Sequence, residues 1–124
     1  MNRIIWVAVA MFVFSWKAPQ ATAQVRPTPA LHVALENFLD ALAHDDLDRL
    51  HVLSTKKGYR FIVNALNEHR EASRILQTIG AENVASRVHW IKVTDTFARG
   101  KVKFVLVDFI IQSGKWKFND ATAE

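Results

Sequence analysis

Asp108 is the residue of this sequence whose position most suggests chemistry, because it interrupts an apolar run from Val105 to Ile111. Burying a carboxylate that has no partner is costly, and a carboxylic acid on a strand can act as a general acid or base. Tyr59 is the only tyrosine of the chain, and its hydroxyl could donate a hydrogen bond to an oxyanion that forms beside Asp108. Asp108 and Tyr59 are therefore the catalytic candidates.

A structural role is the alternative for Asp108. In the strand register expected below, Asp108 lies diagonal to Lys92, and a cross-strand ion pair between the two would satisfy the carboxylate. In the same register Asp95 lies opposite Lys103. The sequence favours this ion pair over catalysis.

The residues that share a predicted sheet face with Asp108 are mostly large and apolar, as the wall of a ligand site often is. Because the chain offers almost no other catalytic residues, this face favours a binding module without catalysis, which holds a small apolar ligand or a protein partner between helices and sheet. An enzyme that uses Asp108 as general acid or base and a structural dimer with a filled core are the alternatives. The candidate ligand-binding residues are Trp90, Phe104, Leu106, Trp116 and Phe118.

Composition excludes several other classes of protein. The chain has no cysteine, which rules out a disulfide scaffold, a thiolate metal site and a cysteine nucleophile. His44, His51 and Asp48 could form only a loose metal patch, since the interruption at Asp45 separates the two histidines. We expect no metal and no cofactor. The formal net charge of +4 becomes +2 without the two cations of the N-terminal signal described next, which is too small for a dedicated nucleic-acid binder.

Residues 1–23 have the three parts of a secretory signal: a positive start at Arg3, an apolar stretch over Ile4–Trp16, and small residues before a cut after Ala23. As a helix the apolar stretch would be about 20 Å long, well short of the roughly 30 Å thickness of the hydrocarbon core. We therefore predict a secreted or periplasmic protein with no stable membrane anchoring after cleavage. An uncleaved membrane anchor, with Lys17 at the membrane surface, is the alternative.

The rest of the chain is predicted to contain an extended arm over residues 24–30, a single α+β domain over 31–120 and a tail over 121–124. Helical spacing of apolar residues begins at Leu31. The stripe of this first helix consists of Leu31, Ala34, Leu35, Phe38, Leu39 and Leu42.

A second, short helix should follow, with Asp45 or Asp46 as its N-cap and with Leu47, Leu50 and Leu53 turned inward. Ser54–Gly58 is then a polar connector that ends in a glycine. A third helix is predicted from Tyr59 to Ile79, followed by Gly80 as its C-terminal cap. Its stripe consists of Ile62, Ala65, Leu66, His69, Ala72, Leu76 and Ile79.

Beyond Val84 the apolar period changes to two, which indicates an antiparallel sheet of three or four strands. Three-residue hairpin loops are expected at Ala98–Gly100 and Gln112–Gly114, each with glycine last. The second loop places Ile111 opposite Lys115. The predicted strands are Val88–Phe97, Lys101–Gln112 and Lys115–Asn119.

The middle predicted strand is apolar on both faces, whereas a sheet with one wet face should alternate. Three helices can cover the aromatic-rich face, which carries Asp108. The second face, with Val105, Val107, Phe109 and Ile111, would still need cover. We therefore expect a homodimer through the sheet.

The run Phe38–Leu50 (FLDALAHDDLDRL) resembles the opening helices of the nuclear transport factor 2-like superfamily. The ending, Lys101–Ile111 followed by Gly114–Phe118 (GKWKF), is similar to the last strands of that group. The resemblance implies a cystatin-like cone of helices against a curved antiparallel sheet, in a superfamily that includes isomerases, dehydratases and binding modules. Members usually place one or two strands between the second and third helices, where this chain has only Ser54–Gly58.

Overall fold

The computed structural model describes residues 25–123 of the chain. The predicted signal, residues 1–23, lies outside the described residues. Within residues 25–123, five helices are followed by one open antiparallel sheet of four strands, which confirms the predicted α+β class. The elements are α1 (Pro29–Ala43), α2 (Leu47–Leu53), α3 (Lys56–Glu68), α4 (Glu71–Ile79), α5 (Ala81–Ala85), β1 (His89–Val93), β2 (Phe97–Val102), β3 (Val105–Gln112) and β4 (Lys115–Ala123).

Helix α1 begins after Thr28, its N-cap, with Pro29 as its first residue. The hydroxyl of Thr28 accepts a hydrogen bond from the backbone N–H of Leu31 at 3.2 Å. Pro29 takes the first helical position, where a missing N–H is harmless. The extended segment before the helix is therefore shorter than the predicted arm. The buried stripe of α1 includes the predicted Leu31, Leu35, Phe38, Leu39 and Leu42.

Helix α2 starts at one of the two predicted caps. The carboxylate of Asp46 accepts a hydrogen bond from the N–H of Arg49 at 3.2 Å. Leu50 is fully buried and Leu53 half-buried, as predicted. Leu47, also predicted to point inward, is 44% exposed. Only Leu50 is buried in this seven-residue helix, so its first turn faces solvent.

The segment Ser54–Gly58 is not the predicted polar connector, because Ser54 and Thr55 are buried and α3 has already begun at Lys56. Thr55 caps α3 by accepting a hydrogen bond from the N–H of Gly58 at 3.0 Å. The N–H of Thr55 donates to the carbonyl oxygen of Phe118 at 2.9 Å, and its hydroxyl donates to Oδ1 of Asn119 at 2.8 Å. The start of α3 is thus fixed to the middle of β4.

The predicted helix from Tyr59 to Ile79 is in fact two helices, α3 and α4. His69 leaves helical geometry with φ −134° and ψ 75°, and its Nδ1 lies 3.1 Å from a carboxylate oxygen of Glu71 in the first turn of α4. Gly80 ends α4 as predicted, with φ 97°. Helix α5 follows it and was not predicted. The apolar stripe continues across the break through the buried residues Ile62, Ala65, Leu66, Ala72 and Leu76.

The four strands follow one another across the sheet in chain order, each antiparallel to the next. The predicted loop at Ala98–Gly100 is wrong, because these residues lie within β2. A Cβ atom at Gly100 would lie 2.6 Å from the Val88 side chain and 3.2 Å from the ring of Trp90. This glycine therefore permits a close approach within the sheet. The chain turns instead at Lys103–Phe104, where Lys103 has φ 55°.

The turn between β3 and β4 consists of two residues, Ser113 and Gly114, both with positive φ (55° and 78°). Positive φ at both positions matches the right-handed twist of hairpin strands. Gln112 therefore pairs with Lys115, one residue away from the predicted register. Strand β4 continues to Ala123 with Ala121 buried, so the predicted tail is wrong for residues 121–123.

The register assigns the strand residues to two faces, which we call the inner and outer faces. The inner face packs against the helices and consists of Trp90, Val93, Ala98, Gly100, Val102, Val105, Val107, Phe109, Ile111, Trp116, Phe118, Ala121 and Ala123. The outer face consists of His89, Lys92, Phe97, Arg99, Lys101, Leu106, Asp108, Ile110, Gln112, Lys115, Lys117, Asp120 and Thr122.

The helices therefore cover the opposite face of β3 from the one predicted. Val105, Val107 and Phe109 are buried within the chain itself, so they cannot form the exposed dimer surface that the sequence predicted. At the centre of the core, the ring of Phe38 stacks on Phe118 with centroids 4.5 Å apart and meets Phe109 edge-on at 5.9 Å. The prediction failed because both hairpin turns were misplaced. The observed first turn moves Trp90, and the observed second turn moves Trp116 and Phe118, to the face of β3 opposite Asp108.

Replacing Gly58 by alanine tests the contact between α3 and β4. A Cβ atom there would lie 2.3 Å from the carbonyl oxygen of Phe118, so backbone must move. At an exposed helical site glycine to alanine stabilises by about 1 kcal/mol, whereas Gly58→Ala is expected to lower the free energy of unfolding by about 2 kcal/mol. Urea denaturation measures the change, with Asn64→Ala at an exposed position of α3 as the control. A Gly58→Ala variant as stable as the parent would contradict the contact.

Candidate functional site

A bidentate ion pair lies at the centre of the outer face. Arg99 and Asp108 are direct partners across β2 and β3. The Nε–H of Arg99 donates to Oδ1 of Asp108 at 2.7 Å, and Nη2 donates to Oδ2 at 2.9 Å. Two parallel hydrogen bonds between a guanidinium and a carboxylate fix both side chains and strengthen the pair. Asp108 is only 7% exposed although it lies on the outer face.

A second carboxylate lies next to this pair. Asp120 is directly opposite Asp108 on β4, and its Oδ2 lies 3.2 Å from Nζ of Lys57. The hydrogen bonds from Arg99 to Asp108 and the charges of Asp108 and Asp120 raise the pKa of Arg99 above its ordinary value. The guanidinium of Arg99 thus carries a fixed positive charge between two strands, with 41% of the side chain exposed.

An aromatic ring and two aliphatic side chains adjoin the ion pair. Phe97 pairs across the strands with Ile110, and the guanidinium carbon of Arg99 lies 5.6 Å from the centroid of its ring. Nζ of Lys92 lies 6.0 Å from the same centroid. Both distances fall in the range of cation–π attraction. Together with the half-buried Leu106, Phe97 and Ile110 form the apolar centre of the outer face.

Asp108 is therefore in an ion pair, as the sequence favoured, but the predicted partner Lys92 is wrong. Arg99 takes that place because β2 continues through the residues that were predicted to form a turn. The predicted neighbours Asp95 and Lys103 lie in different loops, one before β2 and one after it. The mispredicted turn accounts for both errors.

Tyr59 lies away from Asp108, on the helical side of the molecule. It belongs to α3 and packs against the core, with its ring edge-on to the ring of His51 at a centroid distance of 4.8 Å. Asp108, in contrast, lies on the outer face. The two catalytic candidates are not brought together.

The five predicted ligand-binding residues do not line one cleft. Trp90 and Phe118 are buried in the inner face, and Trp116 is half-buried beside them. Leu106 lies on the outer face, and Phe104 is 38% exposed in the turn between β2 and β3. The set is divided between the two sides of the sheet.

The space between α1 and the inner face is filled by side chains. The gap bordered by Leu39, Val84 and Val107 measures about 10 Å³, whereas sites for small ligands measure roughly 300–1,000 Å³. A gap of this size has room for about one water molecule. This gap cannot hold a small apolar ligand.

A larger space lies on the surface between α1 and α2. This open groove measures about 390 Å³ and is bordered by Val52 and Leu53, with Asp48 at its edge. Its basic residue, Arg49, is already bound to Asp40, with Nη1 at 2.8 Å from Oδ2. The groove therefore combines two aliphatic side chains, Val52 and Leu53, with the polar side chains of Asn37, Asp48 and Arg49.

The histidines considered as metal ligands are far from a binding arrangement. Nδ1 of His44 lies 2.9 Å from the carbonyl oxygen of Asp40 on the same helix, and His51 contacts Tyr59. Within residues 25–123 no group of three or more His, Cys, Asp or Glu side chains is placed to hold a metal ion. Over the same range, no helix is long and apolar enough to cross a membrane.

Arg99, Phe97 and Lys117 are residues of the outer face that the sequence analysis did not select. A signal for Phe97 and Arg99 was present, since Phe97–Val102 alternates strictly between two sets of residues. Ala98, Gly100 and Val102 are small or apolar and face inward, whereas Phe97, Arg99 and Lys101 face outward. Gly100 was interpreted as a turn residue, so this segment was not recognised as a strand.

Comparison of the chain with protein-family models, with curated proteins and with solved structures finds no match. The resemblance to the nuclear transport factor 2-like superfamily therefore stays a prediction.

A double-mutant cycle tests whether Arg99 and Asp108 stabilise the fold together. The single variants Arg99→Met and Asp108→Asn and the double variant are compared by urea denaturation. Because Arg99 is partly exposed, we expect a coupling free energy of about 1 kcal/mol, the upper end for pairs near the surface. For the control cycle, Lys57→Met with Asp120→Asn, we expect below about 0.5 kcal/mol, since Lys57 is largely exposed. Equal coupling in both cycles, or an Asp108→Asn variant as stable as the parent, would argue against the pair.

Proposed function

We propose that the chain is a non-enzymatic binding module and that its outer face binds a protein partner. The observation that carries the proposal is the make-up of this face, where an apolar centre is held in place by the Arg99–Asp108 pair and surrounded by lysines. Protein interfaces have this arrangement of an apolar core and a polar rim, with arginine and aromatic residues enriched. Phe97 and Arg99 are residues of the types that dominate binding energy.

The position of the site follows from the packing of the other face. The sequence placed a ligand or partner between helices and sheet, but the gap there is about 10 Å³. A partner on the outer face requires no opening of the core. The proposal therefore keeps the expected class of protein and moves the site to the other side of the sheet.

An enzyme that uses Asp108 receives little support from the geometry. Both carboxylate oxygens of Asp108 accept hydrogen bonds from Arg99, and Tyr59 lies among the helices. A substrate would have to displace the guanidinium to reach the carboxylate. A rigid ion pair on a sheet face is better suited to holding a binding surface in one conformation.

Site-specific photocrosslinking tests the proposal. The photoreactive residue p-benzoylphenylalanine replaces Phe97 on the outer face or, as the control, Val52, which is 65% exposed on α2. In the native host we expect a defined crosslinked protein from position 97 and several-fold less product from position 52. Circular dichroism checks that both variants fold.

Equal crosslinking from the two positions, or none from position 97, would contradict a partner on the outer face. A product of twice the mass of the chain would identify the partner as a second copy, in a homodimer through the opposite face of the sheet from the one that the sequence predicted.

We also propose that the module acts outside the cytoplasm, as a secreted or periplasmic protein. Support comes from the sequence of residues 1–23 and from the absence of cysteine, which leaves no thiol to be oxidised in such a compartment. Intact-mass analysis of protein collected outside the cytoplasm should give a chain that starts at Gln24. A mass that includes Met1 would contradict cleavage.

A further inference from the structure

The outer face carries an uneven charge. Its basic side chains belong to β1, β2 and β4, whereas its acidic side chains belong to β3 and β4. The basic residues are Lys92, Arg99, Lys101, Lys115 and Lys117, and the acidic residues are Asp108 and Asp120.

Both acidic residues of the outer face are engaged within the chain. Asp108 accepts two hydrogen bonds from Arg99, and Asp120 pairs with Lys57, which belongs to α3 and not to the sheet. Lys92 and Lys115 are exposed and Lys117 is half-buried. The charge that the outer face offers to a partner is therefore positive.

The helical surface of α1 and α2 has the opposite sign. It carries Glu36, Asp40, Asp45, Asp46 and Asp48, with Arg49 as its only Lys or Arg. The small net charge of the chain thus conceals two separate surfaces. Complementary potentials across an interface steer association and exclude wrong partners.

We infer that the protein partner of the outer face is a different protein with an acidic surface and an apolar centre. The inference rests on the proposed function and adds the chemistry of the partner. In a symmetric pair of copies joined through this face, the lysines of both copies would meet, and like charges placed together across an interface disfavour it. An acidic partner would instead place its carboxylates over Lys92, Lys115 and Lys117.

A protein surface fits this face better than an anionic membrane. Insertion into lipid requires apolar side chains that reach the acyl chains. The ring of Phe97 instead lies within 6.0 Å of the cation of Lys92 and within 5.6 Å of that of Arg99. Leu106 and Ile110 are half-buried between strands. The apolar centre is thus partly covered and bordered by cations, which suits a complementary protein surface.

Fluorescence anisotropy with a labelled copolymer of glutamate and tyrosine tests the inference. The double variant Lys92→Glu with Lys117→Glu reverses two charges on the outer face, and Arg70→Glu with Arg74→Glu reverses two exposed charges near and in α4. We expect the parent to bind the acidic copolymer, the outer-face variant to bind at least about tenfold more weakly, and the α4 control to change by less than about twofold. Binding should weaken as salt is added.

Each other result overturns the inference. The inference fails if the parent does not bind the acidic copolymer at all, or if both double variants lose the same amount of affinity for it. It also fails if the parent binds a copolymer of lysine and tyrosine equally well, or binds phosphatidylglycerol vesicles more tightly than the acidic copolymer. A dimer of the parent in sedimentation that the outer-face variant alters would assign the face to a second copy.

Photocrosslinking separates the two proposals. If position 97 still yields a crosslinked protein in the Lys92→Glu and Lys117→Glu double variant, the outer face binds a partner, but acidic groups of the partner are not what it recognises. If position 97 yields no product in the parent, the proposed function fails together with the inference.

Discussion

The ion pair between Arg99 and Asp108 is the interaction on which the outer face depends. Asp108 has apolar neighbours on both sides along its strand, and its carboxylate is nearly buried. A buried carboxylate needs a partner. Arg99 on the adjacent strand is that partner, and its guanidinium donates two hydrogen bonds to the carboxylate. The pair in turn holds the Arg99 guanidinium against Phe97, so the apolar and charged parts of the face are fixed by the same contact.

The two sides of the sheet have different roles because the helices occupy one of them. Phe38, Phe109 and Phe118 fill the inner side, and the N-terminus of α3 is fixed to β4 through Thr55 and Gly58. Little room is left between helices and sheet. The outer face is not covered by the helices, and its charge opposes that of the α1–α2 surface. The partner binding that we propose would therefore use the side of the sheet that the core does not occupy.

The sequence predicted well those features that depend on neighbouring residues. Helical spacing identified the stripe of α1, the cap of α2 was predicted as Asp45 or Asp46, and Gly80 was predicted as a stop, because each is decided within one helical turn. The register of the strands was missed. Gly100 resembles a turn residue, and only the side chains of Val88 and Trp90, which leave no room for a Cβ atom at that position, explain it. The true turn at Lys103 contains no glycine, asparagine or proline to mark it.

The two misplaced hairpin turns were enough to misplace the candidate site. With Arg99 in a loop, Asp108 had only Lys92 as a partner. With the second turn one residue too long, Trp116 and Phe118 were assigned to the face of Asp108. With Arg99 in β2, the ion pair, the outer face and the covered core follow from the alternation of the strands. Local patterns could not decide between these two arrangements, since both satisfy the same hydrophobic period.

Nuclear magnetic resonance of the Arg99 side chain tests the central claim most directly. If Arg99 and Asp108 form the bidentate pair that organises the outer face, the Nε–H of Arg99 should exchange slowly with water and show coupling to the carboxylate carbon of Asp108. Rapid exchange with no such coupling would contradict the account.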